Sequence, residues 1–272
     1  MVSVNTNYGA LVALQSLKAT QTDLSVVQDR INTGLKVNSA RDNGAVYSIA
    51  QDQRSRLASQ SVLRDAMDRV SATIDVGLSA AEGVQNVLLQ MKDKALAASA
   101  PGLSTTQIAA YNNDFVALRD SIDPLVNAAQ LNGQNLINDS AASLSVKVND
   151  LALGTVITVT GQGLTTASLS INTLTFATAT EASTAVGSIA GAISSINTSL
   201  ASLGSKATAI DSIKKFSSRL SDSVEKGLGV LVDADLARES ARLQSLQVKQ
   251  QLGAQALSIA NQAPQLVLSL FR

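Results

Sequence analysis

The chain has no cysteine, no histidine and no tryptophan, and aromatic residues make up 3% of its 272 positions. Without cysteine there is no disulfide, no thiolate nucleophile and no Cys-ligated metal. Without histidine the commonest general base near neutral pH is gone, and so is the HExxH metal helix. With 45% hydrophobic residues and so few aromatics, the interior has to be built from Leu, Ile, Val and Ala. Such a core suits closely packed helices and suits ligand pockets poorly, since those are usually lined by aromatics. No charge of one sign prevails: 21 basic residues face 21 acidic ones, so the basic face of a nucleic-acid binder is missing. No unbroken apolar run of about 18 residues marks a membrane span. The opening residues, MVSVNTNYGALVALQSLKATQ, lack the basic start and apolar run of a secretory signal.

What is present is heptad spacing at both ends. Ala10, Ala13, Leu17, Thr20, Leu24, Val27, Ile31 and Gly34 recur at alternating steps of three and four. They predict a helix over about Asn5–Gly34, with Gly34 as its stop. The closing stretch from Asp235 carries two apolar faces. Leu236, Leu243, Leu246, Gly253, Leu257 and Ala260 follow a coiled-coil seam; Leu252, Ala256 and Ile259 lie on a second face, and Leu266 and Leu270 extend the apolar character to the end. A helix adhesive on two sides needs two partners, one from its own chain and one from another. The same spacing also fits two core helices of an ordinary bundle.

Between the ends run longer rows. Leu63, Met67, Val70, Ile74, Gly77, Ala81, Val84, Leu88, Met91 and Ala95 keep the register without a slip, predicting a helix from near Asp42 to the Pro101-Gly102 stop. At 1.5 Å per residue it would be roughly 85 Å long, unless it breaks at Gly77 or Gly83. Ser39 with Asp42 is a possible capping box at its start, and Ser104 with Gln107 caps the helix that follows. That helix carries Ile108, Tyr111, Phe115, Leu118, Ile122 and Leu125, folds back on its predecessor, and meets a kink at Pro124. Thr178 with Glu181 opens a second long row: Val186, Ile189, Ile193, Ile196, Leu200, Leu203, Ala207 and Ile210, continuing to Leu231. Asp233-Ala234-Asp235 is a joint with charges suited to a helix N-terminus.

Residues 136–180 differ. Leu144, Val146 and Val148 alternate, as do Val156 with Thr158 and Leu169 with Ile171, and Gly154, Gly161 and Gly163 punctuate them. This predicts two or three short hairpin strands after an Asn132-Gly133 turn. Ten threonines lie between Thr155 and Thr184. Thr155, Thr158, Thr160, Thr165, Thr166, Thr173 and Thr175 are candidate positions for O-linked sugar, although β-propensity and surface solubility are the favoured account of them. The chain is thus nearly palindromic. The expected fold is mainly α: an elongated antiparallel coiled-coil or helical-bundle rod with a small β-hairpin region at its tip.

At this point several segments resemble a known family. Ile31-Asn-Thr-Gly-Leu-Lys-Val-Asn-Ser-Ala-Arg-Asp42 is similar to the flagellin signature L-S-S-G-x-x-I-N-S-A-x-D-D. Leu231-Val-Asp-Ala-Asp-Leu-Ala-Arg-Glu-Ser240 resembles I-x-D-A-D-x-A-x-E, and Asn132-Gly-Gln-Asn-Leu136 resembles the N-G-x-x-L turn. The ending Ala260-Asn-Gln-Ala-Pro-Gln-Leu-Val-Leu-Ser-Leu-Phe-Arg272 resembles A-N-Q-x-P-Q-x-x-L-x-L-L-R. The likeness covers residues 1–135 and 183–272 and is to a minimal, alphaproteobacterial type of bacterial flagellin without large outer domains.

The resemblance implies a structural subunit of the flagellar filament, a hollow helical polymer used for swimming. It implies an inner coiled-coil domain from residues 1–41 and 233–272 and a rod domain from residues 42–232. Its self-assembly residues would be Leu17, Leu24, Val27, Ile31, Leu236, Leu243, Leu246, Leu252, Leu257, Ile259, Leu266 and Leu270, ordered only when neighbours bury them. Implied partners are other flagellin subunits, the filament cap, the hook–filament junction protein, the flagellar export apparatus and an export chaperone, with no nucleic acid and no membrane span. The implied place is the extracellular filament, reached without a cleaved signal peptide. No catalytic residue, metal or cofactor is expected, and the metallopeptidase inserts of some flagellins need a histidine. The hook–filament junction protein, related at both ends, is the nearest alternative. A helical-hairpin signalling module, which would lack the strands, is one from another class. Flagellins sensed by the toll-like flagellin receptor read L-Q-R-x-R-E-L where this chain has Leu88-Leu-Gln-Met-Lys-Asp-Lys94.

Overall fold

The computed structural model describes residues 7–139, 143–149 and 155–269, with side chains through residue 262. Six helices and four short strands follow one another: α1 (Tyr8–Thr33), α2 (Gly44–Ala98), α3 (Thr105–Asp120), α4 (Ile122–Ala128), β1 (Gln130–Leu131), β2 (Gln134–Asn135), β3 (Leu144–Lys147), β4 (Val156–Val159), α5 (Ala179–Val232) and α6 (Leu236–Ser269). The fold is mainly helical, as expected. α2 runs 55 residues without a break at either glycine. Residues 1–55 with 222–272 form one compact unit and residues 56–221 another.

In the unit of residues 56–221 the predicted rows become the core. Met67, Ile74, Ala81, Val84, Leu88, Met91 and Ala95 of α2 are buried, and so are Ile189, Ile196, Leu203 and Ile210 of α5. The two helices run antiparallel. Gln85 Nε2 donates to Asn197 Oδ1 at 2.8 Å, and Lys214 Nζ lies 2.5 Å from Asp68 Oδ1. An 18-residue stretch of α5 reaches a mean hydropathy of 1.2, apolar enough by length and composition to cross a membrane. Its row of Ile and Leu side chains faces the core instead.

α3 begins with the expected capping box between Ser104 and Gln107. It then stops at Ser121, and α4 starts afresh. Pro124 has no N–H to give to the carbonyl of Asp120, and the helix breaks at this point. The break shifts the phase: Val126 is buried where Leu125 was expected, and Leu125 stays partly exposed. Gly83 of α2 lets Leu125 approach, since a Cβ there would sit 3.1 Å from a Leu125 methyl. β1 and β2 form a hairpin through Asn132 (φ 53°) and Gly133 (φ 76°), both left-handed as a type I′ turn requires. β3 and β4 form the second hairpin. Residues 165–177 are turns and irregular chain, so the alternation of Leu169 and Ile171 is no strand; both side chains are buried instead. Phe176 packs edge-on against Phe115 with ring centroids 5.1 Å apart.

α5 opens on the expected box: Glu181 accepts from the N–H of Ala177 and of Thr178, and the Thr178 hydroxyl accepts from the N–H of Glu181. The start of α2 differs from expectation. Asn43 caps it, accepting from the Val46 N–H at 3.1 Å. The Asp42 carboxylate instead holds the preceding turn, taking the N–H groups of Asn38 and Ser39 and the Ser39 hydroxyl. These donors, the Ser39 backbone N–H foremost, pull the Asp42 carboxyl below its ordinary range.

Candidate functional site

The unit formed by both chain ends centres on α1 and α6. α1 starts at Asn7, whose Oδ1 accepts from the Ala10 N–H, and ends at Gly34 in the left-handed conformation (φ 70°) that a C-terminal stop favours. α6 starts at Asp235, whose Oδ1 accepts from the Arg238 N–H at 3.1 Å. Between these caps the two interhelix breaks are stitched together. The Lys36 N–H donates to Val232 O at 2.7 Å, the Ala234 N–H donates to Gly34 O at 2.8 Å, and Lys36 Nζ reaches Val230 O.

Three contacts set the antiparallel register. Asn7 Nδ2 donates to Ala260 O at 2.7 Å. A Cβ on Gly253 would lie 3.3 Å from Leu17 Cδ1, so the helices touch closely there. Arg30 Nη1 donates to Glu239 Oε1 at 3.2 Å. Every member of the α1 row is shielded: Val27 is buried, and Ala10, Ala13, Leu17, Thr20, Leu24, Ile31 and Gly34 are half-buried. Facing them on α6, Leu246 is buried and Leu243, Gln250, Gly253, Leu257 and Ala260 are half-buried. Burying side chains such as Val27 and Leu246 is worth about 1.5–3 kcal/mol each.

One seam residue is misplaced by the sequence reading. Leu236 is exposed, because it sits in the first turn of α6, opposite the place where α1 has ended. Glu239 takes the shielded position instead, and only one of its oxygens meets Arg30; Oε2 is buried without a partner. Leu252 and Ile259 point away from α1 and remain 58% and 68% exposed. Tyr8, Leu11, Val12 and Val248 join them in giving this unit an unusually apolar surface. The side chain of Leu266, and all of Leu270, lie outside the described residues. Gly253 lies on the seam as expected, whereas Asn7, Arg30 and Glu239 were missed from sequence; only the step of four from Glu239 to Leu243 marks one of them.

The threonines divide. Thr155, Thr158, Thr160, Thr173 and Thr175 are exposed. Thr165 and Thr166 are buried, the first donating to Asp139 and the second to Asp123, so neither hydroxyl is open to modification. Asp139 also takes the Ser168 hydroxyl, and these two donors, Ser168 first, lower its carboxyl from the ordinary range. Among the described residues no group of three acidic side chains is placed to hold a metal ion.

What a pair of helices joined along one side and apolar on the other can do is bind more helices. Comparison with known proteins finds relatives along the chain. The profile described as bacterial flagellin N-terminal helical region matches residues 4–142, and bacterial flagellin C-terminal helical region matches residues 186–271. Flagellin FljM of Caulobacter vibrioides is 46% identical over 271 residues, spanning 99% of this chain and 98% of the relative. A flagellin of Brucella melitensis is 36% identical with both chains fully covered. The crystal structure of Bacillus cereus flagellin superposes with a TM-score of 0.50 at 24% identity, covering 57% of this chain and 88% of that one.

Proposed function

The chain belongs to the bacterial flagellin family, the structural subunits of the flagellar filament, and we propose that its paired terminal helices build the filament's inner tube. The observation that carries this is the two-sided chemistry of α6: Leu243, Leu246 and Leu257 lie on the face shielded by α1, while Leu252 and Ile259 on the other face stay largely exposed among the described residues. In the extracellular flagellum the subunit assembles with other flagellin subunits, and these supply the second partner. Ordering a terminal helix costs roughly 1–2 kcal/mol per residue, which neighbours offset by burying the second face.

The domain division follows from the same reading. The helix breaks at Gly34–Asn43 and Asp233–Asp235 are the natural limits of an inner domain of residues 1–41 and 233–272; the rest, residues 42–232, forms the rod. The filament cap, the hook–filament junction protein, the export apparatus and an export chaperone are the further partners that fit a subunit exported unfolded through a channel. The absence of cysteine suits such passage, because no crosslink can form on the way. Thr155, Thr158, Thr160, Thr173 and Thr175 are the accessible threonines for a sugar.

Electron microscopy of purified protein tests the reading. The unsubstituted chain forms filaments. Leu243→Asp or Leu257→Asp places an unpaired charge in the seam and abolishes them while the unit of residues 56–221 stays helical. Removal of residues 252–272 gives soluble monomer. Filaments from Leu257→Asp at the ordinary protein concentration overturn the assignment of the seam.

A further inference from the structure

The unit of residues 56–221 carries one large aromatic side chain that its own chain leaves uncovered. Phe216 of α5 is 62% exposed, and Leu220, one turn on, is exposed beside it. A chain with four phenylalanines in 272 residues has left one of them in water. The same unit also has an open groove of about 470 Å³ lined by Val76, Ser79, Ala80, Leu125, Ala128 and Ala129. It exists because α4 restarts at Ser121 and lays Leu125 over Gly83, leaving small side chains along its floor. The charges around the two features are opposite. Exposed Lys215 and Arg219 flank Phe216 and Leu220 on α5. Asp75 forms an edge of the groove, and Glu82, on the same face of α2, is also exposed.

We propose that Phe216 of one subunit docks into the Val76–Leu125 groove of a neighbouring copy, with Lys215 against Asp75 and Glu82. This rests on the reading of the chain as a filament subunit. Knob and groove occupy different places on one unit, so each copy can give its knob to one neighbour and take the knob of another, and repeated head to tail the contact propagates; the same contact made twice within one pair would stop at a dimer. Open helical polymers require contacts of that kind, and the seam of α1 and α6 does not involve either feature.

The absence of cysteine makes a direct test available. Phe216→Cys and Ala80→Cys are made singly and together, the variants are assembled, and the filaments are treated with a short bis-maleimide before denaturing electrophoresis. The double variant is expected to run as a ladder of covalent multimers and each single variant as monomer. Filaments of the double variant that yield only monomer overturn the contact, as does self-crosslinking of Phe216→Cys alone, which would mean a symmetric contact or another occupant. A charge exchange gives a readout independent of the thiols. Lys215→Glu or Asp75→Lys alone raises the protein concentration needed for assembly several-fold, and the two together restore it; no restoration counts against the pairing. Failure of the unsubstituted chain to form filaments strikes the filament reading itself, whereas filaments without these crosslinks strike this contact alone.

Discussion

The side-chain amide of Asn7 donates to the backbone carbonyl of Ala260 at 2.7 Å, across 253 residues of sequence. That carbonyl needs an outside donor. α6 continues to Ser269, and the residue four positions after Ala260 is Pro264, which has no N–H to return. Asn7 therefore does two jobs. Its Oδ1 caps the first turn of α1, and its Nδ2 fills the gap that a proline leaves in α6.

Asn7→Ser keeps an N-cap but is too short to reach Ala260. Asn7→Ala loses both functions and costs about 0.5–2 kcal/mol from the cap alone. Amide exchange over Ala10–Leu14 in assembled protein should quicken more for Ala than for Ser. In a Pro264→Ala background the missing N–H is restored, so Asn7→Ser should become nearly neutral. An equal penalty in both backgrounds would show that the contact with Ala260 contributes nothing.

Ile259→Ser separates the two faces of α6. The side chain is 68% exposed in the single chain, so the monomer's circular dichroism should match that of the unsubstituted protein. Polymerisation should weaken, because a neighbour no longer gains an apolar contact of roughly 1.5–3 kcal/mol. Unchanged filament yield at limiting protein concentration would place the second face outside the subunit interface.

Acid should loosen the start of α5. The Ala177 N–H, then the Thr178 N–H, hold the Glu181 carboxyl below its ordinary value of 4.5. A carboxyl lowered in the folded state adds stability that is complete above pH 4.5 and fades as pH falls through the folded value. Asp42, lowered first by the Ser39 backbone N–H, and Asp139, lowered first by the Ser168 hydroxyl, start from an ordinary value of 3.8, so their contributions fade only below that. Glu181→Gln keeps the capping geometry without a titrating group. Its thermal unfolding should therefore decline less steeply below pH 4.5 than that of the unsubstituted chain. Parallel declines would assign the acid sensitivity to other carboxylates.

Purified monomer should activate the toll-like flagellin receptor weakly or not at all. In the segment Leu88–Lys94 the first arginine of receptor-sensed flagellins is replaced by Gln90, which faces solvent, or by Met91, which faces the core, depending on alignment, and neither carries a charge. Lys94 is engaged by Asp114 at 2.7 Å. A reporter-cell assay with strong activation would overturn this.

The rows with steps of three and four determined the helices α1, α2 and α5 and which of their faces are shielded. From Ala10 to Gly34 every member of the row is at least half-buried. The caps at Ser104, Thr178 and Gly34 and the Asn132-Gly133 turn were equally legible. These features are local: a cap or a turn is settled by residues a few positions apart, and a helical face by a repeat that the chain carries within itself.

What the sequence left open was settled by residues far apart in the chain. Leu252 is as apolar as Leu246, yet only Leu246 is buried, because the register set by Asn7, Leu17 and Arg30 turns that face toward α1. Thr165 and Thr166 look like the other threonines until Asp139 and Asp123, from a different part of the chain, take their hydroxyls. Leu125 yields its core position to Val126 once Pro124 forces a new helix start. An apolar or hydroxyl side chain has the same affinity for burial wherever it stands. Which one is buried depends on the neighbour that folding brings opposite it, and only the tertiary structure supplies that neighbour.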